Sequence, residues 1–113
     1  ILERDLMGNA RAMGARLQGR LQALADKYGI LGEIRGKGLL WGIEFVQDTA
    51  NRQRFAAPIG KMIGAEAQRR GLITRHDPDW LALAPPLVVT AEELDAMVHI
   101  LDESIGVVLD GLS

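Results

Sequence analysis

The sequence contains no cysteine. That excludes disulfide staples, thiolate nucleophiles and cysteine-ligated zinc, and it suits a reducing compartment such as the cytoplasm. Histidine is almost as scarce. Only His76 and His99 occur, far apart along the chain, so no histidine-based metal site is expected. No apolar run approaches the roughly 20 residues that a membrane-spanning helix needs. Excess cationic charge is missing too: 13 Lys and Arg against 15 Asp and Glu leave a formal net charge of −2. Nucleic-acid binding, which depends on neutralising several phosphates, is therefore set aside. The first residues, Ile1-Leu2-Glu3-Arg4-Asp5, have neither an initiator Met nor the basic-then-apolar layout of a signal peptide. They read as a cut inside a longer helix, so the expectation is one part of a larger protein.

What is present is ordinary globular material. Of 113 residues, 48% are apolar and 25% charged, enough apolar surface to offset the entropy of ordering one domain. A chain of this size buries about two-thirds of its unfolded surface. Between residues 1 and 27, Leu2, Leu6, Met13, Leu17, Leu21 and Leu24 recur at spacings of three, four or seven, one face of an amphipathic helix. Gly8, Ala12, Ala15 and Gly19 form a second stripe of small residues, open to two readings: tolerated loss in a long helix, or close approach by a neighbouring element. Tyr28-Gly29 ends this helix, with Gly29 suited to a left-handed cap.

Two extended segments follow, 30–35 and 39–46, joined by the turn Gly36-Lys37-Gly38 into a β-hairpin with Ile43 and Phe45 on one face. Residues 47–57 are polar and loop-like. Pro58 suits the first turn of a helix, which carries Ile59, Met62, Ile63 and Ala67 inward and stops at Gly71. Residues 72–75 read as a strand, His76-Asp77-Pro78-Asp79 as a turn and 80–84 as a second strand, closed by Pro85-Pro86. Thr90-Ala91-Glu92-Glu93 is a capping box. Leu94, Met97, Val98, Leu101, Ile105 and Leu109 continue the helix it starts. The order α-β-β-α-β-β-α, with hairpin-length connections between strands, predicts a two-layer α+β domain. Its sheet would have three or four mainly antiparallel strands, covered by helices on one face.

Chemistry is harder to find. The glycines of Gly36-Lys37-Gly38-Leu39-Leu40-Trp41-Gly42 sit between two strands with no helix after them, so a hairpin turn fits better than a phosphate loop. Glu44 alternates with Ile43 and Phe45 and needs no role beyond facing solvent or a partner. Trp41 and Trp80 suit a core or an interface, His76 a turn and His99 a helix surface. Arg75 is the residue of most interest. It closes an apolar strand before a turn, where a planar guanidinium fork matches a carboxylate with two parallel hydrogen bonds. A solvated surface arginine fits the same pattern.

Three segments also carry a resemblance. Ile34-Arg35-Gly36-Lys37-Gly38-Leu39-Leu40-Trp41-Gly42-Ile43-Glu44 is similar to the Arg-Gly-x-Gly-Leu…Gly-x-Glu segment of class III aminotransferases. Gly71-Leu72-Ile73-Thr74-Arg75, then Leu83-Ala84-Pro85-Pro86-Leu87 and Thr90-Ala91-Glu92-Glu93-Leu94-Asp95, resemble the C-terminal end of the same enzymes. The resemblance runs over essentially the whole chain. It implies the C-terminal small domain of a fold type I enzyme, with residues 1–27 as the helix descending from a large domain. It also implies pyridoxal 5′-phosphate in the full-length enzyme, and a homodimer with active sites at the subunit interface.

The family's cofactor lysine and its pyridinium-pairing aspartate belong to the large domain. Lys27, Lys37 and Lys61 do not match that lysine's setting, so no catalytic residue is assigned, no bound cofactor is expected here, and this segment is not expected to be active alone. In the ω-amino acid:pyruvate branch, an arginine nine residues before the residue preceding Pro-Pro clamps the substrate carboxylate and swings away for apolar substrates. Arg75 stands nine before Ala84 and matches it. The ornithine-type branch places its arginine two before that alanine, where this chain has Ala82. The implied activity is transfer of an amino group from an amine or ω-amino acid to a keto acid such as pyruvate. The residues alone also allow a non-catalytic α+β regulatory or oligomerisation module.

Overall fold

The computed structural model describes residues 2–47, 53–86 and 88–112, with side chains from Met7 onward. Seven elements alternate along it: α1 (Leu2–Tyr28), β1 (Leu31–Lys37), β2 (Leu40–Phe45), α2 (Ile59–Arg69), β3 (Arg75–Asp77), β4 (Trp80–Leu83) and α3 (Ala91–Leu112). The four strands form one sheet in the order β1-β2-β4-β3, every neighbouring pair antiparallel. The two-layer α+β architecture is as the sequence predicts. Because β2 pairs with β4, the two hairpins meet along their second strands, and β3 becomes an edge.

Period-two burial shows which face the helices cover. Trp41, Ile43 and Phe45 of β2 and Leu81 and Leu83 of β4 are buried. Their alternates Gly42, Glu44, Trp80 and Ala82 lie on the other, open face, as strand geometry requires. Helices α1 and α2 lie against the covered face, and α3 packs across both. Leu17, Leu21 and Leu24 of α1 enter this core with Ile59, Ile63 and Ala67 of α2 and Leu94, Leu101 and Ile105 of α3. Met13 is partly buried against it, while the side chains of Leu2 and Leu6 lie outside the described residues.

Several boundaries differ from the sequence reading. The first turn is Gly38-Leu39, closed by the pair Lys37–Leu40, rather than Gly36-Lys37-Gly38. Gly38 takes φ +58, which suits the first position of a two-residue hairpin turn. Pro58 occupies the cap of α2, one residue before its first turn, and its carbonyl accepts the Met62 N–H at 3.0 Å. Residues 72–74 are not strand; β3 begins at Arg75 and runs through His76 and Asp77, leaving only Pro78-Asp79 as the turn. Pairing with β4 overrides the turn-forming character of His76-Asp77. The stop signals at Gly29 and Gly71 hold, both with positive φ (68 and 95).

The small-residue stripe keeps both of its readings, tolerated loss or approach by an element outside this chain. Among the described residues, a methyl group at Gly8 or Gly19 would meet nothing within 4 Å. The close approach is at Gly14 instead, where an added Cβ would lie 2.2 Å from the Gly38 carbonyl oxygen. The hairpin tip thus rests on the backbone of α1.

Helix α3 is tied to α1 by polar contacts. The capping box forms, with the Thr90 N–H donating to Glu93 Oε1 at 3.0 Å and the Glu93 N–H donating to Thr90 Oγ1 at 3.1 Å. The bond from the Thr90 backbone N–H foremost, and then the Thr90 side chain, hold the Glu93 carboxyl below its ordinary range. Arg16 grips Asp95 with two donors, at 2.9 and 2.6 Å, and that hydrogen bonding lowers the Asp95 carboxyl. At the other end, Lys27 Nζ donates to Asp102 at 2.9 Å, and the Tyr28 hydroxyl donates to the same side chain and sits 3.0 Å from the Asp102 carbonyl. Burial pushes Asp102 up, but the bonds from Tyr28 and Lys27 and the charge of Lys27 outweigh it, leaving the carboxyl below its usual value. Burial, then the Asp102 bond, raises the Tyr28 phenol.

Gly14→Ala should destabilise the 113-residue chain by about 1–3 kcal/mol, the usual cost of overpacking. Gly19→Ala in the same helix should raise its stability by up to about 1 kcal/mol. Thermal unfolding of both variants checks this; equal effects would contradict the Gly14–Gly38 contact. Glu93, Asp95 and Asp102 all have folded values below their unfolded ones. Their contribution is therefore complete above about pH 5, and acid removes it as the carboxylates are protonated below about pH 4. Asp95→Asn should make the acid limb of an unfolding-against-pH curve shallower, and an unchanged limb would exclude the Arg16 clasp.

Candidate functional site

The site is built on the open face of the sheet, around the edge strand β3. Arg75 opens that strand and pairs with Ala82 of β4, which in turn pairs with Gly42 of β2, opposite Arg35 of β1. One row across all four strands therefore reads Arg35, Gly42, Ala82, Arg75. Its two centre positions carry a hydrogen and a methyl group. A Cβ at Gly42 would meet only the Arg35 carbonyl oxygen, at 3.9 Å. The middle of this face is low, and its arginines stand at the two rims.

Arg75 lies in a groove of about 450 Å³ formed with Leu40, Ile73, Thr74, Ala82 and Ala84. Leu40 and Ile73 are unusually open for large aliphatic residues, at 64% and 83% exposure. They give the guanidinium an apolar frame. Among the described residues no carboxylate lies within ion-pair distance of Arg75, although Asp77 is on the same face two positions on. The other open-face arginine differs in this respect: Arg35 Nε is 2.6 Å from Glu33 Oε1. An exposed guanidinium without a carboxylate partner, beside a small-residue floor, is free to take an external carboxylate through two parallel N–H donors.

The next row carries Glu33, Glu44, Trp80 and Asp77. Glu44 stands opposite the core face, as alternation predicts, and with Glu33, Arg35, Gly42, Ile43 and Trp80 it lines a second, smaller groove. Trp80 is 40% exposed over this row, whereas Trp41 is buried and donates its indole N–H to the Gly38 carbonyl at 2.7 Å. Of the stretch Leu39 to Trp41, only Leu40 reaches the Arg75 groove; Leu39 and Trp41 belong to the core.

His76 is corrected more substantially. It is a half-buried strand residue on the covered face, lying against Gly64 of α2 rather than in a turn. His99 is on the exposed surface of α3, with Nε2 2.7 Å from Glu103. Among the described residues no group of three or more potential metal ligands comes together, and no helix is long and apolar enough to cross a membrane.

A cofactor lysine does not fit this groove. Lys27 is engaged by Asp102 between α1 and α3. Lys37 ends β1 and Lys61 is exposed on α2, neither among the residues around Arg75. These residues can bind and orient a carboxylate; they do not form a pyridoxal phosphate site by themselves. Sequence reasoning singled out Arg75 as a candidate but not its groove neighbours Ile73 and Ala84 or its pairing with Ala82, because lateral neighbours depend on register. The four-residue spacing of Gly60 and Gly64 on α2 was a legible sign of close backbone packing that it also missed.

Comparison with known proteins gives a single direction. The sequence model of the family described as aminotransferase class-III matches residues 1–105. An uncharacterized aminotransferase of Sinorhizobium fredii is 42% identical over 112 residues, covering 96% of this chain and 24% of that protein. The diaminobutyrate–2-oxoglutarate transaminase of Halomonas elongata is 36% identical, covering all of this chain and 25% of its own length. Among solved structures, a transaminase with L-alanine superposes with a TM-score of 0.90 at 37% identity, over 100% of this chain and 27% of that one. The PMP-bound aminotransferase of Vibrio fluvialis superposes with a TM-score of 0.91 at 27% identity, over 100% of this chain and 25% of that one. The chain spans about a quarter of the length of the curated relatives it matches.

Proposed function

The chain belongs to the class III aminotransferase family, and from that premise we propose that it is the C-terminal small domain of a complete enzyme in which Arg75 receives the substrate's carboxylate. Residues 1–27 are the helix that joins it to a large domain. The enzyme moves an amino group from an amine or ω-amino acid to a keto acid such as pyruvate, and works as a homodimer. Pyridoxal phosphate, held by residues outside this chain, supplies the electron sink for that exchange. The transaminase matches favour this reading over a non-catalytic module.

The observation that carries it is the guanidinium of Arg75, exposed at the sheet edge with no carboxylate of the described residues beside it. A keto acid and an ω-amino acid present a planar carboxylate that the fork can take in two hydrogen bonds. Leu40, Ile73, Ala82 and Ala84 give that pair apolar flanks. When the bound group is apolar instead, those four side chains offer it contact, and Arg75 turns away without breaking an ion pair with any described residue. One arginine thus serves both kinds of substrate.

The register also bears on substrate class. The resemblance places the ornithine-type arginine at position 82 and the ω-type one at position 75. These positions are direct cross-strand partners on one face. An arginine from either strand would enter the same groove, but from different sides and at different depths. Ala82 leaves that space open, which supports the ω-type assignment.

In the complete enzyme, Arg75→Ala should lower kcat/KM for pyruvate by about 10- to 100-fold, the worth of a lost charge-assisted hydrogen-bond pair. The same change should cost an amine without a carboxylate far less. Steady-state kinetics on both substrates check it, and an equal loss on both would remove the clamp role.

A further inference from the structure

Both residues flanking Arg75 break a local rule. Thr74 Oγ1 and His76 Nδ1 are buried, and neither has a hydrogen-bond partner among the described residues. Buried polar atoms are normally paired, so exceptions call for a reason. For His76 the reason visible in the fold is shape. A Cβ placed on Gly64 of α2 would lie 2.3 Å from His76 Nδ1, 2.8 Å from Cγ and 3.0 Å from Cε1. The imidazole therefore rests on bare helix backbone, in the space any other residue at 64 would fill.

The rest of the β3–β4 hairpin is held the same way. A Cβ on Gly60, one turn earlier, would lie 2.3 Å from the Asp77 carbonyl oxygen and 2.7 Å from that of Trp80. The Gly60 N–H donates to the Pro78 carbonyl and the Phe45 N–H to the Asp79 carbonyl, both at 2.8 Å. Arg54 pairs with Asp79 at 3.2 Å. At the other end, the Leu72 N–H donates to the Ala67 carbonyl at 2.9 Å. The main chain that bears Arg75 is thus pinned to both ends of α2. Between those pins the only side chain of β3 that faces the helix is His76.

We propose that His76, seated on Gly64, is the positioning residue for Arg75: it sets the height and tilt of the edge strand, so that substrate-dependent movement is confined to the arginine side chain. This inference rests on Arg75 being the carboxylate clamp. Neighbouring residues of a strand project to opposite faces. A displacement of His76 on the helix side therefore moves the root of Arg75 on the substrate side. A bidentate pair tolerates little of that, because about 1 Å of misplacement can cost a hundredfold in rate.

The test uses the complete, cofactor-loaded enzyme with pyruvate and 1-phenylethylamine as probes. Gly64→Ala adds the methyl that collides with the ring, and His76→Ala removes the ring. Each should raise KM for pyruvate, and its dissociation constant by calorimetry, by about tenfold, while kcat and the amine KM stay within about twofold. In an Arg75→Ala background the added effect on pyruvate should vanish, because His76 acts only through Arg75. Should Gly64→Ala not fold, His76→Ala decides the question by itself. Equal losses for both probes, or the same added loss without Arg75, would show a merely structural role and overturn the inference. A selective Arg75→Ala with a neutral His76→Ala would overturn this inference alone. A non-selective Arg75→Ala would bring down the clamp and the inference together.

Discussion

One constraint underlies the whole arrangement: helices cover only one face of a sheet whose side chains alternate. Each strand residue thereby projects toward either the covered face or the open one. Trp41, Ile43, Phe45, Leu81 and Leu83 take the first option and hold the domain together. Gly42, Glu44, Trp80, Ala82 and Arg75 take the second. The open face is therefore a by-product of folding in one sense only: the same alternation that buries Leu81 must turn Ala82 outward. What the sequence adds is the choice of residues there, small in the middle and arginine at the rims.

Rigidity behind that face comes from backbone contacts more than from side chains. Gly14 admits the hairpin tip onto α1, while Gly60 and Gly64 admit the second hairpin onto α2. At Gly14 and Gly60 the neighbour is main chain, so the distance there is fixed by atoms with no rotamer to adjust, and at Gly64 it is the imidazole of His76. A binding residue mounted on such a strand inherits that precision, which is what a carboxylate clamp that must also move its side chain requires. The polar clasps between α1 and α3 are of a different kind. They lie at the surface or partly buried, and they link the long first helix to the last.

Much of this was legible in the residues, and the reasons are specific. The 3.6-residue recurrence of Leu17, Leu21 and Leu24 identified α1, and Thr90 with Glu93 announced the start of α3, both local signals. The alternation of Ile43, Glu44 and Phe45 placed Glu44 on the open face. Failures arose where a distant partner decides the outcome. His76-Asp77 has turn chemistry, but β4 supplies hydrogen bonds that make it a strand. The contact of α1 with the hairpin tip falls on Gly14, which the helix pattern did not single out, because the landing point of that tip is not encoded in α1. Arg75 was identified by its distance from Pro85-Pro86, whereas its cross-strand partner Ala82 appears only once the register is known.

The central claim, that the Arg75 guanidinium receives the substrate carboxylate, is tested most directly by the crystal structure of the complete enzyme with a bound keto acid. The account predicts the Arg75 guanidinium within hydrogen-bonding distance of both carboxylate oxygens, with the β3 backbone unmoved on α2. A carboxylate held by other residues, with Arg75 turned to bulk solvent, would contradict it.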